Sequence, residues 1–306
     1  MNRKQLKALA QERIAASRYS ARKLAFLFTG GSLALSLVIT LVNFLLNKQI
    51  EGTGGLGGIG LRTILSFVQT LVMLAGTVAL PFWNLGYTRA ALDTARDGSA
   101  QPQTLLSGFR LFFPALRLYF LQTVFYTIVI TVVAQAGSTL YMFTPFANNG
   151  MEVMEKILAG GETLFTDPAV MQQLLQTFWP MYLLVGVLVI VALTFVSYRL
   201  RLVEFALVDG RERALQNMLE SNRNMRGKCG FLFRLDLSFW WYFLLQVLAS
   251  VLAYGDLLIG GDVAYWVFCL LSAGVQLLLG WAFLPRVQTT YALVYDMLAN
   301  KEGQVN

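Results

Sequence analysis

Long apolar stretches constrain this chain more than any other feature of its sequence. An α-helix rises about 1.5 Å per residue, so about 20 apolar residues are needed to cross the roughly 30 Å hydrocarbon core of a bilayer. The fifth of six such stretches is short, and we expect it to extend backwards through 231–237. The six predicted transmembrane helices cover 24–46, 61–85, 116–141, 179–203, 239–254 and 263–284.

Composition supports a membrane protein along the whole chain. Hydrophobic residues make up 56% of the 306 residues and charged residues 13%, against about 25% charged residues in soluble domains. The mean hydropathy is +0.58, so the chain has too few polar residues to cover two soluble domains. The first apolar stretch is too long for a cleaved signal peptide and is interpreted as a signal anchor. We therefore predict an all-α polytopic membrane protein with six transmembrane helices and basic interfacial amphipathic helices.

Basic residues fall almost entirely on one side of the predicted membrane. The N-terminal arm, the second and fourth connections and the tail hold 21 of the 24 lysines and arginines, whereas Lys48, Arg62 and Lys156 fall on the other side. Because short loops rich in Lys and Arg remain in the cytoplasm, both termini are predicted to be cytoplasmic, in a multi-pass protein of the cell membrane. The predicted organisation is a basic arm at 1–23, a six-span domain at 24–299 and a tail at 300–306.

Two connections of the six-span domain carry amphipathic patterns. The predicted external segment 143–177 is acidic and is interpreted as a loop resting on the membrane. The cytoplasmic segment 209–230 predicts a helix with an apolar face formed by Ala214, Leu215, Met218, Leu219 and Met225. The opposite face is predicted to present Arg213, Gln216, Asn217, Glu220 and Asn224. An interfacial helix of this kind can bind lipid phosphates, and the possible lipid-headgroup contacts are Arg211, Arg213, Arg223, Arg226 and Lys228.

The residue types needed for most enzyme and metal chemistry are scarce. The chain has no histidine, and its two cysteines, Cys229 and Cys269, form no C-x-x-C pair, so no disulfide or metal site is predicted. The loop EGTGGLGGIG matches G-x-G-x-x-G but joins two predicted spans and lacks the strand–turn–helix context of a dinucleotide site. We predict no catalytic residue, no cofactor-binding residue and no cofactor.

Ionisable side chains lie near the predicted membrane boundaries and not deep within the spans. Intramembrane charge is the usual indication of a proton or ion path, so a proton-coupled pump is disfavoured. Polar residues inside the spans are mainly amides, which commonly hold helices together by hydrogen bonds; they are Asn43, Gln69, Gln122, Gln135, Gln246 and Gln276. Asp236 is predicted to be structural, and the candidates for structural ion pairs are Glu204, Asp236, Arg89, Arg110 and Arg199.

A weak internal repeat accompanies the even-numbered spans. The segments 80–93, 197–210 and 284–296 each carry a tyrosine and end at or near an aspartate. Each even-numbered helix would thus run past the membrane as a partly charged extension. Three two-helix hairpins explain the pattern, and chance similarity between apolar segments is the alternative.

Two blocks of the sequence, 85–121 and 208–245, resemble a bacterial integral-membrane family known as domain of unknown function 975. The matching positions are Gly86, Tyr87, Ala95, Arg96, Gly98, Gly108, Phe109, Ala214, Leu215, Ser221, Met225, Gly227, Asp236, Leu237, Ser238 and Trp241. Asn222 departs from the family's usual charged residue, and the connection at 143–177 is longer than expected. The resemblance implies the topology and a Gram-positive bacterial origin, but no chemistry.

These features favour a non-enzymatic role. We expect an accessory or scaffold protein that associates with anionic membrane lipids, with another membrane protein or with further copies of itself. No nucleic-acid partner is expected, because the basic residues sit in patches between apolar runs. The alternative is a small-solute transporter or channel component, since paired-helix repeats occur in transporters.

Overall fold

The computed structural model describes residues 2–52, 59–144, 168–210, 213–255 and 260–303. All regular elements within these ranges are helices, so the all-α prediction is confirmed. The long helices are α2 (Ala21–Gly52), α3 (Ile59–Arg96), α5 (Phe112–Met142), α6 (Pro168–Leu200), α11 (Asp262–Ala282) and α12 (Leu284–Gly303). The shorter ones are α1 (Arg3–Ala16), α4 (Ser107–Arg110), α7 (Val203–Val208), α8 (Ala214–Asn224), α9 (Cys229–Leu237) and α10 (Trp240–Leu252), and a 3₁₀ helix at Pro102–Leu106 precedes α4.

Five apolar helical segments are long enough to cross a membrane: Ala21–Ile50, Gly60–Arg96, Phe112–Met142, Gln176–Val208 and Val263–Ala282. A sixth span is obtained if α9 and α10, which are bent by 70°, are taken as one broken span. The chain is therefore a polytopic helical membrane protein.

The predicted backward extension of the fifth span is not a straight helix. The bend lies at Ser238, whose backbone N–H and hydroxyl both donate to the carbonyl of Leu235. The backbone N–H of Phe239 donates to the backbone carbonyl of Asp236. A serine hydroxyl that competes for helix carbonyls commonly bends a helix. The turn tightens at this point and α10 leaves in a new direction.

The spans present apolar side chains outward. At most 17% of the residues in any of the five apolar windows are buried within the chain. Phe67 in α3, Phe120 in α5 and Ile190 in α6 are each more than 60% exposed. An apolar surface of this extent is far larger than soluble monomers expose, and lipid is the solvent that it fits.

The chain divides into two compact units. Unit 1 comprises Met1–Leu116, Leu202–Glu220 and Gly230–Asn306, and unit 2 comprises Arg117–Arg201 and Ser221–Cys229. In unit 2, α5 and α6 approach closely at Gly137, where an added Cβ would lie 3.0 Å from the side chain of Val185.

One end of unit 1 has a conventional buried core, which we call the cap. It is formed by α1, the first turns of α2, the last turns of α3, the 97–111 connection, α7 and α12. The helix α12 packs against α1 and α3, and α7 packs against α3. The largest fully buried side chains of the cap include Leu6, Leu24, Leu85, Leu92, Leu207 and Tyr291.

Two glycines allow α3 to meet the connection that follows it. An ideal Cβ on Gly86 would lie 1.8 Å from the carbonyl oxygen of Leu105, and one on Gly108 would lie 1.9 Å from the carbonyl oxygen of Phe82. Neither obstacle is a movable side-chain end. The close packing of this connection therefore requires glycine at both positions.

Several sequence predictions fall outside the described residues. They include most of the glycine-rich loop (53–58), most of the external segment (145–167) and Arg211.

Candidate functional site

The N-terminal arm contains helix α1, whose side chains hydrogen-bond to the backbone at the break between α9 and α10. Arg3 Nη1 donates to the carbonyl of Arg234 at 3.0 Å, and Lys7 Nζ donates to that of Ser238 at 2.7 Å. The Lys7 ammonium also lies 4.0 Å from the centroid of the Phe239 ring. Cations stabilise the carbonyl end of a helix. Partial burial, together with the positive charges of Arg286 and Arg3, lowers the pKa of Lys7.

A guanidinium at the end of α3 joins this helix to the C-terminus of α7 and to the middle of α12 in the cap. Arg96 donates to Asp296 through Nε at 3.0 Å and Nη2 at 2.7 Å, and its Nη1 donates to Asp209. The hydroxyl of Tyr295 donates to the second oxygen of Asp209 at 3.0 Å. We call Arg96, Asp209, Asp296 and Tyr295 the Arg96 network. Forked, charge-assisted hydrogen bonds of this kind fix geometry as well as supplying energy.

A second set of contacts holds α7 against α3. Arg89 Nη1 donates to the carbonyl of Val208 at 2.8 Å, and its Nε lies 3.9 Å from Asp93 Oδ1. One turn earlier, Asn84 Nδ2 donates to Glu204 at 3.2 Å. Two of the predicted ion-pair candidates, Arg89 and Glu204, thus take part in contacts between the same two helices.

The other ion-pair candidates lie in different surroundings. Asp236 in α9 accepts a hydrogen bond from the buried hydroxyl of Tyr291 in α12. Arg199 in unit 2 donates to the Asn222 side chain at 2.9 Å. Arg110 is exposed and lines a shallow pocket beside Arg89 and Asp93.

A pocket of about 330 Å³ opens where α1, α2, α11 and α12 meet, and we call it the basic pocket. Arg22 lies over the ring of Trp281, with 5.7 Å between the guanidinium carbon and the ring centroid. The side-chain oxygen of Gln11, in its hydrogen-bonding orientation, accepts from the guanidinium of Arg286. The described lining contains two arginines and no carboxylate, and consists of Gln11, Ile14, Ala15, Ser20, Arg22, Ala282, Pro285 and Arg286.

The amphipathic helix of the fourth connection is present as α8, but its faces differ from the prediction. Ala214, Asn217 and Met218 are buried, whereas Leu215 and Leu219 are 60% and 61% exposed. In the last turns, which belong to unit 2, Ser221 is buried and its hydroxyl donates to the carbonyl of Arg199. The inner face is thus partly polar because it hydrogen-bonds to protein. The two leucines, one helical turn apart, form an apolar strip on the outer face.

The described lipid-headgroup candidates lie before, on and after α8: Arg213 precedes the helix, Arg223 lies in its last turn, and Arg226 and Lys228 follow it. The structure describes Arg213, Arg223, Arg226 and Lys228, all of which are exposed. Gly227 has a φ of +76°, in the left-handed region that favours glycine, and it lies in the turn between the end of α8 at Asn224 and the start of α9 at Cys229.

The part of the chain that the structure describes contains no group of three or more Cys, Asp or Glu side chains that could hold a metal ion. The carboxylates of Asp209 and Asp296 are instead both ion-paired with Arg96.

Sequence reasoning missed the Arg96 network, although two signals pointed to it. Arg96 is one of the positions that carry the family resemblance, and Asp209 and Asp296 end two of the repeated extensions. The repeat suggested a common role for the aspartates, but the periodicity of a single chain did not indicate that they share one arginine.

Fold and surface together define a polytopic α-helical membrane protein whose unit 1 carries a folded, basic cap at one end of α2 and α3. Comparison of the chain with protein-family models, with curated proteins and with solved structures finds no match.

Proposed function

We propose that this protein is a non-enzymatic accessory or scaffold protein of the cell membrane whose cap lies on the cytoplasmic side and binds anionic lipid. The basic pocket carries this proposal. Two guanidiniums converge there beside a hydroxyl, at the level where α2 begins its apolar stretch. Arginine presents a planar fork that matches phosphate oxygens, so the chemistry favours a phosphate-bearing headgroup.

The surroundings of the pocket support the same reading. Trp281 stacks with Arg22, and tryptophan is enriched at membrane–water interfaces. The inner leaflet carries anionic lipids, which attract Lys and Arg by about 1 kcal/mol each near the surface. The 21-to-3 distribution of basic residues would put the cap against that leaflet, with both termini in the cytoplasm.

The outer face of α8 offers a second contact with the membrane. Leu215 and Leu219 supply apolar area, and Arg223 and Arg226 supply charge within the following two turns. This combination is typical of helices that lie in the plane of a membrane interface.

Lipid-dependent thermal unfolding of the detergent-purified protein tests the proposal. A ligand that binds only the folded state raises the apparent stability by RT ln(1 + [L]/Kd), about 2.7 kcal/mol at a hundredfold excess over Kd. Phosphatidylglycerol should therefore raise Tm by several degrees more than phosphatidylcholine does.

Two variants distinguish lipid binding in the basic pocket from a general effect of the protein's positive charge. The double variant Arg22→Gln, Arg286→Gln should lose most of the phosphatidylglycerol effect, whereas Arg62→Gln, an exposed arginine at the other end of the spans, should retain it. Equal stabilisation by both lipids, or equal loss in both variants, contradicts the proposal.

We also propose membership of the domain of unknown function 975 family, with a Gram-positive bacterial source. The requirement for glycine at two motif positions, Gly86 and Gly108, supports it, as does the joining of α3, α7 and α12 by the motif residue Arg96. An alignment of authentic family members tests this membership. Bulky residues at the two glycine positions would contradict it.

The alternative function, a small-solute transporter or channel component, is favoured by one observation, a polar pocket at the opposite end of α2 from the basic pocket. Solute flux into proteoliposomes separates the two functions. An accessory protein predicts none above empty vesicles, and a second membrane protein or another copy of the chain would then be sought by crosslinking.

A further inference from the structure

An uncharged polar pocket lies between α2, α3 and α11, and we call it the neutral pocket. Its volume is about 530 Å³, larger than that of the basic pocket. Amide and hydroxyl groups predominate among its polar side chains, although the helices around it are apolar. The lining residues are Thr40, Asn43, Phe44, Asn47, Gln69, Met73, Gly261 and Tyr265.

Asn43 is the polar group in this pocket that most needs a partner. Its side chain is only 8% exposed. Its Nδ2 donates to the thioether of Met73 at 3.1 Å, a weak acceptor, and its Oδ1 has no hydrogen-bond partner among the described residues. A buried amide oxygen left unpaired costs about 1–3 kcal/mol. Because this oxygen is shielded within the protein, the Asn43 side chain must reorient to present it to a ligand, and reorientation gives up only the weak N–H···S contact.

Neighbouring amides are already oriented by each other. Gln69 Nε2 donates to Asn47 Oδ1 at 3.1 Å across the α2–α3 interface. Each of these side chains keeps further donor or acceptor capacity, since an amide has two N–H groups and two lone pairs. The pocket thus combines fixed hydrogen-bonding groups with one unsatisfied acceptor.

The pocket lies at the depth of a membrane interface. Arg22 in the basic pocket and Asn43 are 21 residues apart on α2, a rise of about 32 Å, which matches the roughly 30 Å hydrocarbon core. Phe44 packs edge-on against Trp266, with ring centroids 5.5 Å apart, and stacks near Tyr265. Interfacial aromatic side chains of this kind mark the level of headgroups.

The charge of the surroundings selects the class of ligand. The described lining contains no ionisable acid or base apart from the phenol of Tyr265, and the Lys48 ammonium lies 4.8 Å from the centroid of the Phe44 ring. A cationic ligand would find no carboxylate in the described lining. An anionic ligand would lack the arginine fork that the basic pocket provides.

We propose that the neutral pocket binds an uncharged, hydroxyl-rich ligand, a sugar or polyol, one of whose hydroxyls donates to Asn43 while Gln69 and Asn47 hold its neighbours. The same chemistry is offered by the headgroup of a neutral glycolipid and by a free sugar. Aromatic faces beside the amides suit the apolar face of a sugar ring.

Native mass spectrometry of the purified full-length protein tests this inference. One arm adds digalactosyldiacylglycerol to phosphatidylcholine nanodiscs, and the other adds soluble digalactoside to nanodiscs without glycolipid. Saturable binding in the first arm alone identifies a lipid headgroup as the source, and binding in both arms identifies the sugar itself. Both results support the proposal.

Variants connect the binding to the named side chains. Asn43→Leu should weaken binding about tenfold, the effect of one hydrogen bond to a buried group, and Gln69→Leu, at a partly exposed amide, should weaken it by a smaller factor. Gln135→Leu, at an exposed amide of α5, should not change it. Asn43→Leu should also raise Tm in the absence of sugar, because it removes an unsatisfied polar group. No binding in either arm, or equal loss in all three variants, overturns the proposal.

Discussion

The two ends of α2 and α3 show how differently the same helices are stabilised in the cap and in the spans. In the cap, Leu24 and Leu85 are fully buried. Farther along, Leu45 on α2 and Phe67 on α3 are 54% and 64% exposed. Water drives apolar side chains together in the cap, but lipid tails give no such driving force between helices. The cap is therefore the region in which specific packing decides the fold.

Polar contacts follow the same division. The cap contains the Arg96 network and the Arg89 contacts. It also contains the hydrogen bonds that Arg3 and Lys7 of α1 donate to backbone carbonyls. At the other end, the described hydrogen bonds of the neutral pocket join uncharged side chains, such as Gln69 and Asn47. The comparison teaches that the hydrogen-bonded ionic contacts of α3 lie at the cap end, whereas Lys48 and Arg62 are the described cations near the other end of α2 and α3. The following predictions test that division, from the largest expected effect to the smallest.

The largest effect is expected where backbone meets backbone in the cap. Gly86→Ala puts a Cβ against the Leu105 carbonyl, and overpacking of this kind costs about 3 kcal/mol or more when the obstacle cannot move. We expect little folded protein after membrane extraction, measured by size-exclusion chromatography. Gly274→Ala in α11, where a Cβ would meet nothing within 4 Å, is the matched control and should be extracted normally. Equal yields would mean that the close approach at Gly86 is not essential.

Breaking the Arg96 network should have the next largest effect. Arg96→Ala leaves Asp209 and Asp296 without their shared cation. The side chain of Arg96 is 41% exposed, so solvent screening limits the loss to about 2 kcal/mol. The measurement is thermal unfolding in detergent. Adding Asp209→Ala and Asp296→Ala to Arg96→Ala should recover part of the lost stability. If the stability losses of the three single variants simply add in the triple variant, the three residues do not form a network.

A smaller effect is expected at the contact between α9 and α12. Tyr291→Phe removes the hydroxyl that donates to Asp236 and should lower stability by about 1–1.5 kcal/mol. Asp236→Ala should be more damaging than Asp236→Asn, which keeps an acceptor. If both Asp236 variants unfold like the parent but lose a lipid-binding or other activity, Asp236 belongs to a functional site.

The smallest effect is a pH dependence at the end of α3. Two hydrogen bonds from Ser99, from its hydroxyl and its backbone N–H, lower the pKa of Asp97. A lowered carboxyl pKa contributes stability above the pKa of the unfolded chain, and this contribution is lost as pH falls through the folded pKa. Ser99→Ala should therefore lower Tm slightly at pH 7, and the difference should vanish once the pH falls below the folded pKa of Asp97. A difference that grows with acidification would contradict this assignment.

Sequence patterns predicted the spans well because hydropathy and length are properties of each segment. The all-α polytopic fold follows from them. The break at Ser238 was missed because it depends on a side-chain hydrogen bond inside an otherwise helical, apolar segment.

The candidate sites were less accessible to sequence reasoning because they are made by residues distant in the chain. The faces of α8 were misjudged because Asn217 is buried although it is polar, and a periodicity argument assigns every amide to the outside. The Arg96 network joins positions 96, 209 and 296. The neutral pocket combines amides that sequence analysis had interpreted as links between helices, and the unsatisfied oxygen of Asn43 becomes visible only in the structure.

The central claim is that the basic cap faces the cytoplasm while the neutral pocket faces the opposite side of the membrane. Reporter fusions test it most directly, with fusions after Asn306 and within 209–226 at the cap end, and a fusion at Gly160 in the predicted external segment. We expect cytoplasmic activity for the first two fusions and external activity for the third. An external C-terminus, or a cytoplasmic signal at Gly160, would contradict it.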